Sequence, residues 1–240
     1  MKAPFKVFWK IVRQDTLPAN QDWLSAQEKD RYQQFRFPKK SQDWLSGRWA
    51  AKSLINAIFS ESKTYQLDEI CIKNEASGAP FAEWHGKRLD GSLSISHRGG
   101  FAAAAYCPDP DVTIGIDLEL IETKSRGFVE DYFTAQEAAA IFNLSEDQQA
   151  LAASLLWSGR EALLKALQLG LRVDTRQIAL GCPSFQSRPG WQALEIIYHP
   201  AELNHLTLFW RRVDQTIITM AIKQKYHDVE ISPDRFIQIL

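Results

Sequence analysis

Between positions 114 and 120 the chain reads Ile-Gly-Ile-Asp-Leu-Glu-Leu, and this run restricts the fold more tightly than any residue count does. An extended backbone sends successive side chains to opposite faces. Ile114, Ile116, Leu118 and Leu120 therefore share one face, and Gly115, Asp117 and Glu119 share the other. A strand over 112–120 needs an apolar layer on its first face and carries two carboxylates beside a residue with no side chain on its second. Paired carboxylates repel unless a cation lies between them, and oxygen-only donors suit a hard ion such as Mg²⁺. The competing reading is an edge strand whose acidic face is simply solvated.

Charge narrows the possible partners. With 28 Lys plus Arg against 29 Asp plus Glu the formal charge is −1, which leaves no global basic field for nucleic acid, so any anion site must be local. Hydrophobic residues at 45% and charged residues at 24% place the chain among globular proteins rather than disordered ones. No run approaches the roughly 20 apolar residues that span a bilayer. Lysines interrupt the first apolar stretch, so no secretory signal and no membrane partner are expected, and the expected location is the cytoplasm. Cys71, Cys107 and Cys182 are odd in number and lack close pairing, which predicts reduced thiols rather than a disulfide framework or a zinc site.

Helical spacing of Ala51, Leu54, Ile55 and Ile58 predicts a helix over 41–59, with Ser41 as N-cap and Arg48 and Lys52 aboard. Strands are expected at 69–73, 92–96, 101–107 and 112–120. A helix follows from Thr134 and another over 145–169, and strands return at 191–198, 206–212 and 217–223. Pro108-Asp-Pro-Asp marks a boundary, giving an N-terminal subdomain 1–111 and a C-terminal subdomain 112–240, each α+β with mainly hairpin-connected strands.

Four further motifs could carry chemistry. Trp157, Glu161 and Lys165 in Trp157-Ser-Gly-Arg-Glu-Ala-Leu-Leu-Lys fall on one helical face; the structural reading is a surface ion pair worth about 0.3–0.5 kcal/mol. Gly159 within that helix costs about 1 kcal/mol relative to Ala and implies a close approach by another group. Ser94-Ile-Ser-His-Arg-Gly-Gly reads either as a phosphate-binding turn, with Ser96, His97 and Arg98 supplying donors, or as a plain hairpin. Arg36-Phe-Pro-Lys39-Lys40 with Arg48 and Lys52 is a basic group in which like charges four apart favour an anion between them, or else a solvated basic face. Thr134-Ala-Gln-Glu137 matches a capping box, for which the structural role is favoured.

The ordered set of basic helix, Ser-His turn, Gly-Ile-Asp-Leu-Glu strand, Phe-Thr-x-x-Glu helix start and Trp-Ser-x-x-Glu-x-x-x-Lys resembles the 4′-phosphopantetheinyl transferases of the larger, Sfp-like type, over about 36–165. The resemblance implies an α+β fold of two similar subdomains in a pseudo-twofold arrangement, with coenzyme A in the cleft between them. It implies Mg²⁺-dependent transfer of the 4′-phosphopantetheine arm to a serine of an apo acyl or peptidyl carrier protein, releasing adenosine 3′,5′-bisphosphate, by a monomer. On this resemblance Asp117, Glu119 and Glu161 hold Mg²⁺. Glu161 also serves as base, directly or through water, and Lys165 stabilises the departing bisphosphate. Ser96 and His97 contact coenzyme A phosphates, Arg48 the 3′-phosphate, and Lys39, Lys40 and Lys52 are further candidates for it. Two departures stand out: Arg160 occupies a position often held by Lys, and Gly78-Ala79-Pro80 replaces a Gly-Lys-Pro loop, for which Arg98 is the expected substitute. The segment 123–129, with Lys124 and Arg126, is the expected carrier-docking patch. A Mg²⁺-dependent phosphoesterase with a water nucleophile and a non-catalytic coenzyme A or carrier-docking module are the alternatives.

Overall fold

A computed structural model describes residues 5–59, 66–169, 174–182, 189–198, 205–225 and 231–240. The chain forms two compact units, one of residues 1–114 and 234–240, the other of residues 115–233. The first contains β1 (Val7–Arg13), α1 (Ala26–Gln33), α2 (Pro38–Phe59), β2 (Ile70–Asn74), β3 (Pro80–Trp84), β4 (Lys87–Arg88), β5 (Ser92–Arg98) and β6 (Phe101–Cys107). The division falls within β7 (Val112–Leu120). The second then has α3 (Arg126–Tyr132), α4 (Ala135–Phe142), α5 (Glu146–Ala166), β8 (Ala179–Leu180), β9 (Gln192–Leu194), β10 (Ile196–Tyr198), β11 (Leu206–Val213) and β12 (Thr216–Gln224). The last strand, β13 (Phe236–Gln238), pairs in parallel with β1. That pairing returns the C-terminus to the first unit, where the sequence reading had assigned all of 112–240 to the second.

In the first unit the sheet runs β13-β1-β6-β5 and a smaller one runs β2-β3-β4. Helix α2 packs on β1, β5 and β6 through Ala50, Ala51, Leu54 and Ile55, all fully buried. It begins three residues earlier than Ser41 predicts, at Pro38, whose fixed φ suits a first helical position. Gly99 and Gly100 join β5 to β6 with φ of 56° and 83°. Positive φ at both central positions is what a two-residue hairpin demands, so the hairpin accounts for both glycines. In the second unit the sheet runs β7-β12-β11-β9 beside a β8-β10 pair, with α5 across β11 and β12.

Each unit is tied together by one buried carboxylate. In the first, Ser25 caps α1 by accepting from the Glu28 amide at 3.3 Å, and Glu28 Oε2 accepts from the Ser25 amide at 3.0 Å. Lys52 Nζ of α2 donates to the same oxygen at 2.5 Å, and the Ile72 amide of β2 donates to Oε1 at 3.0 Å. In the second, Thr134 and Glu137 form the corresponding box at the start of α4. Glu137 then accepts from Arg160 Nη2 of α5 and, at 2.8 Å, from the Leu180 amide of β8. Arg160 spends its other donors on the carbonyls of Leu156, Thr175 and Ile178. Both cations are fully buried, so each pair holds together elements distant in sequence.

Removing one member of such a pair strands the other charge without water, at a cost of about 3–5 kcal/mol. Urea unfolding of Glu137→Ala is expected to show a loss of about that size, whereas Arg13→Ala, which breaks an exposed pair with Asp15, should leave the midpoint unchanged.

Candidate functional site

Gly115, Asp117 and Glu119 do not form a solvated face: Asp117 is 4% and Glu119 8% exposed. Helix α5 lies directly over them. A Cβ at Gly115 would overlap the Ala162 carbonyl oxygen and come within 2.6 Å of the Ala166 amide, so glycine is what lets the helix approach β7. Gly159, flagged by its helical cost, faces Leu180, Leu194 and Leu208 at 2.9–3.2 Å from a would-be Cβ. These two contacts fix the distance and rotation of α5 against the sheet.

That rotation brings the acidic residues and Lys165 together. Lys165 Nζ donates to Asp117 Oδ1 at 2.7 Å and to the Ile116 carbonyl at 3.1 Å. Ser158 Oγ donates to Asp117 Oδ2 at 2.8 Å, lies 2.9 Å from Thr219 Oγ1 of β12, and so links helix and sheet through the carboxylate. Glu161 Oε1 is buried with no hydrogen-bond partner. Burial first, then the charge of Asp117 and more weakly that of Glu119, push the Glu161 carboxyl up to about 7 against the opposing pull of Lys165. The surface ion-pair reading of Glu161 and Lys165 gives way to a half-buried group with Lys165 bonded to the strand.

Among the described residues no three His, Cys, Asp or Glu side chains are arranged as a ready metal site. Asp117 is turned to Lys165 and Ser158, and Lys124 Nζ reaches Glu119 at 3.5 Å and Glu122 at 2.9 Å. The unpartnered Glu161 oxygen and the mutual repulsion of three carboxylates nevertheless fit a divalent cation, which would compensate charge that two lysines now offset in part. Lys124 was expected in the docking patch. Its side chain is only 10% exposed, so it belongs to the acidic site, and Arg126, with 76% side-chain exposure, remains on the surface. Beside it Phe128 and Tyr132 meet Trp157 edge to face, each at 5.2 Å.

The first unit holds a separate cavity of about 380 Å³ lined by Phe35, Lys40, Asp43, Trp44, Arg48, Asn74 and His97, with Gly78 and Pro80 at its edge. Arg48 lies over the Trp44 ring at 4.8 Å and donates to Asn74 Oδ1 at 3.2 Å, while Asn74 Nδ2 donates to the Gly78 carbonyl at 2.7 Å. Burial pulls the Arg48 guanidinium down, opposed by Glu28. Of the basic candidates this cavity gathers Lys40, Arg48 and His97. It does not gather Lys39, Ser96 or Arg98: the last two alternate with His97 along β5 and so lie on its other face. Gly78 and Pro80, on either side of Ala79, line this cavity together with Arg48, whereas Arg98, the expected substitute for the loop lysine, is not among its lining residues. Lys52 is corrected outright, because it is fully buried and bonded to Glu28; the anion foreseen between Arg48 and Lys52 is the chain's own carboxylate.

The sequence reading missed Ser158, Thr219, Trp44 and Asn74. Ser158, inside the Trp-Ser-Gly-Arg-Glu motif, carried a signal, since α-helical spacing sets it three residues before Glu161 on a neighbouring face. Thr219 and Asn74 carried none, being joined to the site only by long-range pairing.

Residues 113–209 match the 4′-phosphopantetheinyl transferase superfamily. The mouse L-aminoadipate-semialdehyde dehydrogenase-phosphopantetheinyl transferase is 24% identical over 188 residues, covering 72% of this chain and 59% of that protein. The 4′-phosphopantetheinyl transferase ffp of Bacillus subtilis is 26% identical over 154 residues, 62% of each. Holo-[acyl-carrier-protein] synthase of Lactococcus lactis is 35% identical over 78 residues, 31% of this chain and 64% of its own. The alignment thus spans 59% of the length of the mammalian relatives. Among solved structures, holo-[acyl-carrier-protein] synthase from Neisseria meningitidis aligns over 47% of this chain and 98% of its own with a TM-score of 0.37 and 18% identity. The resemblance read from the motifs is borne out by the superfamily match and these relatives.

Gly115→Ala is expected to push α5 off β7, since the clash is with backbone that cannot rotate away. Thermal and urea unfolding should register a loss of about 3 kcal/mol, and Glu161 should become more accessible to carbodiimide labelling.

Proposed function

We propose that this chain, whose residues 113–209 match the 4′-phosphopantetheinyl transferase superfamily, moves the 4′-phosphopantetheine arm of coenzyme A onto a serine of an apo acyl or peptidyl carrier protein. The reading includes Mg²⁺ held by Asp117, Glu119 and Glu161, and a cytoplasmic monomer as the resemblance implies. The observation that carries it is a half-buried carboxyl, Glu161, with one unpartnered oxygen, in the field of two more carboxylates and one lysine. Such a group suits cation binding and proton acceptance near neutral pH. Bound Mg²⁺ would neutralise charge on the pyrophosphate, the main demand of phosphoryl transfer. The carrier serine oxygen attacks the phosphorus that bears the pantetheine arm, its proton passes to Glu161, and the bond to the adenosine 3′,5′-bisphosphate breaks. Lys165, held by Asp117 and the Ile116 carbonyl, supplies positive charge to the departing group.

The cavity of the first unit is proposed for the nucleotide end of coenzyme A. Arg48, Lys40 and His97 offer donors for phosphate, and Trp44 and Phe35 offer aromatic faces for a base. Arg126 and the exposed Tyr132 offer a cationic and aromatic patch for an acidic carrier.

The test is intact-mass spectrometry of an apo carrier protein incubated with the chain, coenzyme A and Mg²⁺. The expected result is a gain of one phosphopantetheine arm that EDTA and Glu161→Gln both abolish. Coenzyme A breakdown without carrier modification would establish the phosphoesterase instead, and binding without either reaction the docking module. If Arg48 reads the 3′-phosphate, Arg48→Ala and Lys40→Ala should raise the coenzyme A KM by about tenfold, the worth of one charge-assisted contact. Both should narrow the preference for coenzyme A over its 3′-dephospho form while kcat stays within about twofold.

A further inference from the structure

Lys124 stands apart from the transfer chemistry and is nonetheless enclosed. Its side chain is 10% exposed, and its ammonium lies 2.9 Å from Glu122 Oε1, 3.5 Å from Glu119 Oε2 and 5.7 Å from the Phe128 ring centroid. A long cationic side chain loses rotamer freedom when confined in this way, so three contacts of one sign must hold it. Two of these, Glu122 and Phe128, lie outside the acidic site. The third is a carboxylate proposed to hold a divalent cation.

We infer that Lys124 is a built-in counter-cation of the acidic site, competing with a divalent cation for Glu119 and drawn the other way by Glu122. The inference rests on the reading of Asp117, Glu119 and Glu161 as a cation site. A single positive charge some 3–4 Å from one oxygen ligand repels an incoming dication, yet it keeps the paired carboxylates tolerable when no cation is bound. Lys165 does the same for Asp117 at the other end of the group, but it is tied to the chemistry and to the Ile116 carbonyl. Lys124 is tied to a more exposed carboxylate, since the Glu122 side chain is 40% exposed, and so has a second partner to fall back on. It is a positioning residue that sets the affinity of the site and touches no reacting atom.

The measurement is Mn²⁺ binding to the purified chain by calorimetry and by loss of the free-ion EPR signal, without coenzyme A. Lys124→Met should tighten Mn²⁺ about tenfold at low ionic strength, and Lys124→Arg should leave it within about twofold. Glu122→Gln should weaken it by releasing Lys124 onto Glu119. That weakening should vanish in the Lys124→Met background, whereas a purely long-range effect of Glu122 would persist there. Unchanged or weaker binding by a folded Lys124→Met, or a Glu122 effect that persists in the double variant, overturns the inference. Failure of both the wild type and Lys124→Met to bind Mn²⁺ overturns the cation-site reading itself, and with it this inference.

Discussion

A carboxylate withdrawn from water must be fully occupied, and each half of this chain is organised around meeting that demand. Glu137 takes the Thr134 and Leu180 amides and the Arg160 guanidinium, so that α4, α5 and β8 share one acceptor. Glu28 takes the Ser25 and Ile72 amides and Lys52, so that α1, α2 and β2 do the same. These pairs need not add net stability over an apolar replacement; what they impose is a single arrangement, because any slip leaves a buried charge alone.

The candidate site residues are neighbours of these anchors. Glu161 follows Arg160, and one residue turns a helix by about 100°, so pinning Arg160 toward Glu137 directs Glu161 to a different face, the one that meets Asp117 and Glu119. Arg48 precedes Lys52 by one turn on α2 and shares its face. Lys52 is held inside on Glu28, and Arg48, 3.8 Å from the same carboxylate, extends to Asn74 and the cavity. A helix thus has one cation buried for register and an adjacent charged residue presented to a site.

This division explains what could be read from the sequence. The alternation through 112–120 and the periodicity of α5 were legible because each is local, and the capping box at Thr134 was read as structural for the same reason. Whether a cation is an anchor or a ligand-binding group was not legible. Lys52 and Arg48 look alike in the sequence, and the acid that separates their roles lies in α1, 24 residues before Lys52. Arg160 reads as a conservative basic residue until three carbonyls and Glu137 are seen to enclose it. Strand β1 escaped because Lys10 breaks the apolar pattern, although Lys10 sends its ammonium out to the Leu240 carbonyl and leaves Val7 and Trp9 buried. The three-residue β13 is too short to show any period.

The acidic site departs from the logic of the anchors in one respect. Glu28 and Glu137 are each supplied with donors on both oxygens, whereas Glu161 keeps one buried oxygen with none. A buried acceptor left so costs about 1–3 kcal/mol, and a carboxyl pushed up to about 7 by burial and by its acidic neighbours is a further cost of charge crowding. Arg160 on the same helix, by contrast, has all three of its nitrogens bonded, to the Leu156, Thr175 and Ile178 carbonyls and to Glu137. An unmet acceptor persisting between well-satisfied elements is strain of the kind that collects where a ligand completes the set. The two lysines that offset the crowding each lean on a different carboxylate, Lys165 on Asp117 and Lys124 on Glu119. Glu161, pulled down only in part by Lys165, is left with one buried oxygen unmet, the position that the proposed cation would complete.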